Sequence, residues 1–249
     1  MGDFWAIYIL WLRDIKRYWY DKARIFASFG QPILFLFVLG TALSPSFKGP
    51  AGLNFSEFIF PGIVSMTVLF TSIFSAISIV WDREFGFLKE VLVAPVSRWS
   101  IVTGKALGGS TVALFQGTLM LFLAPLVGVH LTFFSVIESM LVMFLIALAM
   151  NSLGIVIAAR MKETEGFQMV VNFLIMPLFF LSGALFPMDG LPLWLTILNR
   201  FDPLTYGVDL LRSVLLGIHS FPEILSLTVL AVFMLIMFSI AVFEFNLAE

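Results

Sequence analysis

The chain has 249 residues, of which 60% are hydrophobic and only 12% charged, with a mean hydropathy of +1.04 and a formal charge of −2. A soluble domain averages about 45–50% apolar and about 25% charged residues, so this much apolar surface, 29 Phe included, calls for lipid as its solvent. The near-neutral balance argues against a nucleic-acid partner, and the lack of cysteine excludes disulfides, thiolate metal sites and Cys nucleophiles.

Residues 3–24 predict an N-terminal interfacial helix. Arg13, Lys16, Arg17 and Arg24 share a helical face, and Trp5, Tyr8, Trp11, Tyr18, Trp19 and Tyr20 are side chains that settle at headgroup depth. No short apolar run followed by small residues occurs there, so no cleavable leader is expected. Six apolar segments follow, at 26–44, 58–80, 104–128, 135–159, 168–186 and 223–243. Each is near or above the roughly 20 residues that a helix needs to cross a hydrocarbon core of about 30 Å. The reading is an all-α membrane protein of six transmembrane helices in one domain, 1–249. Orientation comes from Lys and Arg. With the N-terminus inside, 11 of the 14 basic residues fall on the inner side, against Lys48, Arg200 and Arg212 outside (14 − 3 = 11). Both termini are therefore expected in the cytoplasm.

Two connections are too long to be simple turns. In the inner one, 81–98, Phe85, Leu88, Val91 and Leu92 form an apolar stripe among Asp82, Arg83, Glu84, Lys89 and Glu90. Pro95 ends that stretch, which predicts a short amphipathic cytoplasmic helix. It either rests on headgroups or docks into a groove on a cytoplasmic partner. In the outer one, 186–222, Pro187, Pro192, Pro203 and Pro222 interrupt apolar pieces too short to cross a bilayer. Those pieces suit short re-entrant helices, covered by protein.

Several chemistries are missing. Gly104-Lys105-Ala106 lacks the Ser or Thr of a nucleotide-binding P-loop and the Gly that precedes it. The span interiors show no ionisable group that could carry a coupling proton or ion: Glu138 and Glu244 sit at span ends, and His130 and His219 in outer connections. No catalytic constellation, metal site or cofactor is expected on this chain. Gln116, Asn151 and Asn172 are the notable polar groups within spans, lining a path or, more in keeping with such residues, hydrogen-bonding between helices. Gly104, Gly108 and Gly109 open the third span and allow close helix approach.

Two stretches resemble the ABC-2 family of transporter permeases, which includes drug-resistance and polysaccharide-export membrane subunits. One runs from Asp82-Arg83-Glu84-Phe85-Gly86 through Leu88, Glu90, Leu92 and Pro95 to Ser97-Arg98 and Gly104-Lys105. The other runs from Leu181-Ser182-Gly183 through Pro187 and Pro192 to Asp202-Pro203-Leu204-Thr205-Tyr206 and Leu211-Arg212. Phe87 stands where a small Thr is common, and Asp202 where Asn usually precedes Pro-Leu-Thr. The resemblance implies an exporter permease in the inner membrane of a prokaryote. It would pair with a second copy or a paralogue and be driven by a separate cytoplasmic ATPase that holds ATP and Mg. The segment 82–98 would be the coupling helix that touches the ATPase, and the Pro-rich outer region the cap over the exit. Two other classes stay open on the residues alone: a passive channel or ion-coupled carrier, and a membrane assembly subunit that transports nothing.

Overall fold

The structure, a computed structural model, describes residues 2–47, 49–87, 93, 96–188 and 190–247. Every regular element among them is helical. Helix α1 (Asp3–Tyr20) has no Gly or Pro to interrupt it. Helix α2 (Lys22–Leu34) contains Pro32 and passes into a π-turn at Phe35–Leu39 and a last α-turn at Gly40–Leu43. Pro32 has no N–H to give the carbonyl four residues back, which is a recognised cause of such irregularity.

Helix α3 (Phe55–Ser75) opens on a capping box: the Asn54 N–H donates to Glu57 Oε2 at 2.9 Å. It runs with α4 (Ile77–Glu84) as one 30-residue rod. Gly86, at φ +80°, a conformation costly for any side chain bearing Cβ, marks the end of that rod. Helix α5 (Arg98–Leu121) starts on Ser97, whose hydroxyl accepts from the Ser100 N–H at 3.2 Å. Helices α6 (Phe133–Arg160) and α7 (Thr164–Leu181) follow, then the short α8 (Leu193–Phe201) and α9 (Pro203–Leu216), and finally α10 (Glu223–Leu247).

Each of the six predicted segments is helical. Among the described residues, four helices are long and apolar enough to cross a membrane: the α3–α4 rod, α6, α7 and α10. The second and third sequence segments differ most from their helices in reach. The α3–α4 rod extends from 55 to 84, taking in Asp82, Arg83 and Glu84, which the sequence reading assigned to a separate amphipathic helix. Helix α5 starts at Arg98, carries Lys105 inside it, and falls short of the apolar threshold because it is enclosed by α1, α3 and α6 rather than facing lipid. In the first segment the apolar helix is 28–43, shorter than a full crossing.

Burial sorts the helices into a centre and a rim. The apolar stretch of the α3–α4 rod is 83% buried, whereas that of α7 is 22% and that of α10 17% buried. The rod and α5 are therefore the axis, and α7 and α10 keep apolar faces outward, as a bilayer or a partner helix requires. The axis closes tightly where α5 has no side chain: a Cβ on Gly109 would lie 1.7 Å from Asn151 Nδ2 and 2.0 Å from Ser75 Oγ. Helix α1 also departs from expectation. It packs along α5, with Gly104 against the Ile7 backbone and Leu10, and Trp11 Nε1 donating to Thr111 Oγ1 at 3.0 Å. Leu10 and Tyr18 are buried, and Phe4, Trp5, Tyr8, Trp19 and Tyr20 face out.

Candidate functional site

Three groupings carry the polar chemistry. The first lies where α1, α4 and α5 meet. Asp82, on the last turn of α4, is buried, with Lys105 Nζ at 3.0 Å and the Arg13 guanidinium on the same carboxylate oxygen. Lys105, its side chain only 4% exposed, also donates to Asp14 Oδ1 at 3.1 Å and Ser78 Oγ at 3.0 Å. Arg17 approaches Asp82 at 3.9 Å and covers the Trp81 ring at 4.2 Å. A buried ammonium persists here because two carboxylates and a hydroxyl replace its water. Sequence reasoning assigned Asp82 to an exposed register contact and Lys105 to the inner start of the third span; both turn inward.

Arg83 and Glu84 point to other helices. The Arg83 guanidinium donates to the carbonyls of Ala158 (3.2 Å), Ala159 (2.7 Å) and Met161, which close α6. Helix C-termini leave such carbonyls unpaired, and a cation suits the negative end of the dipole. Glu84 Oε2 accepts from Thr164 Oγ1 at 2.7 Å, in the first turn of α7. Arg160 binds Glu244 through Nε at 3.0 Å, joining α6 to α10. Phe85 is 80% exposed, and Arg13 sits 4.6 Å over the Phe87 ring. Before Arg98, the Ser97 N–H donates to Asp3 Oδ1 at 3.0 Å, which holds the Asp3 carboxyl below the usual carboxylate range. Helix α1 thus grips both ends of the segment 82–98. Leu88, Glu90, Leu92 and Pro95 lie outside the described residues.

The second grouping is the outer connection. Pro187 and Pro192 bracket the irregular chain before α8. Asp202 caps α9, accepting from the Leu204 N–H at 2.9 Å; Pro203 takes the first helical position, where no N–H is needed. Thr205 Oγ1 donates to the Asn199 carbonyl at 2.8 Å, and the Tyr206 hydroxyl to the Arg200 carbonyl at 2.9 Å. Burial pushes the Asp202 carboxyl up to about 8. Two further residues complete the grouping. Asp209 accepts from the Ser220 N–H (2.6 Å), the Phe221 N–H (3.3 Å) and Ser226 Oγ (3.2 Å), tying the start of α10. Arg212 donates to the Gly183 carbonyl at 2.9 Å and lies 4.3 Å over the Phe58 ring; burial lowers it to about 10. Sequence reasoning passed over Asp209, although an acid inside a short apolar piece is the signal that could have found it.

The third grouping is a cavity of about 380 Å³ between α2, α3, α4, α5 and α7. Phe70, Phe74 and Trp81 give it aromatic walls, and Gln31, Gln116 and Gln168 give it amides. Gln116 is fully engaged: its carbonyl accepts from Thr71, and its amide nitrogen donates to Ser28 and, at 2.6 Å, to the Tyr18 hydroxyl. Asn151 donates to Ser75 Oγ at 2.7 Å and bonds helix to helix, away from the cavity. Asn172 is exposed on α7. Of the three span amides singled out from sequence, only Gln116 reaches the cavity. Gln31 and Gln168 were missed, although both fall in predicted spans.

Comparison with known proteins identifies the family. A model of the ABC-2 type transporter family matches residues 6–216. The transport permease ycf38 of Cyanophora paradoxa is 33% identical over 73% of this chain and 64% of its own length, so the match spans a little under two thirds of that relative. Nodulation protein J of Rhizobium leguminosarum bv. viciae is 26% identical over 88% of this chain and 85% of its own. The inner membrane transport permease YadH of Escherichia coli strain K12 is 27% identical over 94% and 92%. The long apolar helices, the family match and these relatives make this a multi-pass membrane protein, and the chain belongs to the ABC-2 type transporter family as a permease.

Proposed function

We propose that the chain is the membrane-spanning half of an ATP-driven exporter, moving a drug, lipid or glycan-type substrate outward, with a separate cytoplasmic ATPase as motor. It crosses the inner membrane six times with both termini in the cytoplasm, acts with a second permease copy or paralogue, and uses α8 and α9 as short re-entrant helices at the exit. The ATPase carries ATP and Mg and presses on the segment 82–98. The basic residues favour this orientation, 11 against 3.

The observation that carries the reading is mechanical. Arg83 holds the end of α6, Glu84 holds the start of α7, and Asp82 holds α1 and α5. A push on this one turn therefore reaches four helices at once, which is what a rigid-body switch driven by nucleotide needs. The exposed Phe85 supplies an apolar contact for the motor.

The test is co-reconstitution of the chain with its ABC ATPase in proteoliposomes. Wild type is expected to give ATP-dependent export. Arg83→Ala is expected to keep ATP hydrolysis but lose about tenfold or more in substrate moved per ATP, since it removes charge-assisted bonds worth about 1.5–3 kcal/mol each. Concentrative transport by the chain alone would overturn the reading, and nucleotide-independent leak would favour a channel instead.

A further inference from the structure

The cavity beside Gln116 combines bonded polar groups, unbonded ones and apolar walls. At about 380 Å³ it falls within the size range of small-molecule sites. No titratable side chain among the described residues lines it. Gln116 has spent its amide on Thr71, Ser28 and Tyr18, so it shapes the wall. Gln31 on α2 and Gln168 on α7 have no hydrogen-bond partner among the described residues. Each offers a carbonyl acceptor and an N–H₂ donor from a different helix. The aromatic wall of Phe70, Phe74 and Trp81 supplies flat apolar surface. The cavity also borders the irregular part of α2. Pro32 lines it and has no N–H for the Ser28 carbonyl, and the π-turn at Phe35–Leu39 follows; such turns recur at functional sites.

We infer that this cavity binds an uncharged amphiphile, whose apolar body lies against Phe70, Phe74 and Trp81 and whose hydroxyl or amide groups bond to Gln31 and Gln168. A charged headgroup would lose its hydration and meet no counter-ion among the described residues. Arg17 does not supply one: it stacks on Trp81 and leans towards Asp82 without lining the cavity. The inference rests on the exporter reading only in treating the bound molecule as cargo; binding itself needs no motor.

The experiment uses the purified chain in nanodiscs, without ATPase or nucleotide. The probe is dodecyl maltoside carrying a diazirine in its tail. Photolabelling is expected on peptides spanning 66–81, competed at least about tenfold better by plain dodecyl maltoside than by dodecyl sulfate or dodecyltrimethylammonium. Gln31→Ala with Gln168→Ala is expected to lower labelling about 5–10-fold, the loss of one or two neutral hydrogen bonds, with an unchanged thermal midpoint because neither amide is bonded to any of the described residues. Gln168→Glu is expected to turn the preference towards dodecyltrimethylammonium, a gain that misfolding cannot imitate. Equal competition by all three headgroups, or labelling indifferent to both amides, overturns the assignment and leaves ATP-driven transport standing. Loss of transport with labelling intact would sink the exporter reading alone.

Discussion

The two ends of the helix bundle solve the same problem by opposite means. At the α1–α4–α5 junction charges are gathered: Lys105, Arg13 and Arg17 share Asp14 and Asp82. In the outer connection charges are kept apart. Asp202 Oδ1 and Asp209 accept mainly from backbone N–H groups and Arg212 donates to the Gly183 carbonyl, while Asp202 Oδ2 and Arg212 Nε are buried without a hydrogen-bond partner, and no ion pair within 4.0 Å joins any of the three among the described residues. A gathered network can exchange partners when a helix moves, because every ion in it but Arg17 has more than one counter-ion. A carboxylate bonded to main chain has one geometry. The difference suits a junction that must shift beside a connection that must hold its shape.

Lys105→Met breaks the gathered end hardest. It takes from the half-buried Asp14 its close partner, leaving Arg13 at 3.9 Å, and weakens the hold on the buried Asp82; removing one partner of a buried pair costs about 3–5 kcal/mol. Thermal unfolding in detergent is expected to show the largest drop of the variants considered. Adding Asp14→Asn should recover part of it, because the stranded charge is gone. No recovery would mean that the junction is held by packing alone and that the contrast between the two ends is false.

Asp209→Ala tests the separated end. It leaves the Ser220 and Phe221 N–H groups and the Ser226 hydroxyl without their acceptor, at about 1–3 kcal/mol for a buried unsatisfied group. Hydrogen exchange at residues 220–226 is expected to rise while exchange along α5 stays as it was. Asp209→Asn, which keeps an acceptor oxygen, should restore about half of the protection. Exchange spreading to α5 would show that the two ends are not independent.

Much of this architecture was legible in the sequence, and the misses share a cause. Apolar length located the four helices that can cross a membrane, and Pro and Gly placed most of the breaks. Periodicity could not say which helix is enclosed. Helix α5 reads as a weak span because Lys105, Gln116 and four glycines lower its hydropathy, yet those residues are there because other helices surround it. The same blindness put Asp82 on the surface: a charge next to a span end looks solvated until its partner from α1, 69 residues away, is known. Gln31 and Gln168 were hidden because an isolated amide in an apolar stretch carries no mark of what it faces.

Asp202→Asn is the smallest change and the sharpest in pH. Where the family resemblance sets Asn, this chain has Asp, in a place where burial raises the carboxyl to about 8. In the unfolded chain the same group releases its proton near 3.8. Between those values the folded state holds a proton that the unfolded state has lost. The stability that this proton contributes is fully present below about 3.8 and is lost as pH rises through about 8, after which the slope ends. Below about pH 3.8 the side chain is neutral in both the folded and the unfolded wild type and its Oδ1 accepts from Leu204, as an Asn oxygen would, so there the variant should unfold within about 1 kcal/mol of wild type. At pH 8.5 wild type should have lost ground that Asp202→Asn keeps. Midpoints of the two proteins that run parallel from pH 5 to 8.5 would show that Asp202 is ionised and partnered, and the outer connection would then hold a charge of the same kind as the inner junction. A widening gap in favour of Asn would show instead that this position accepts either residue only because burial makes the acid behave as an amide.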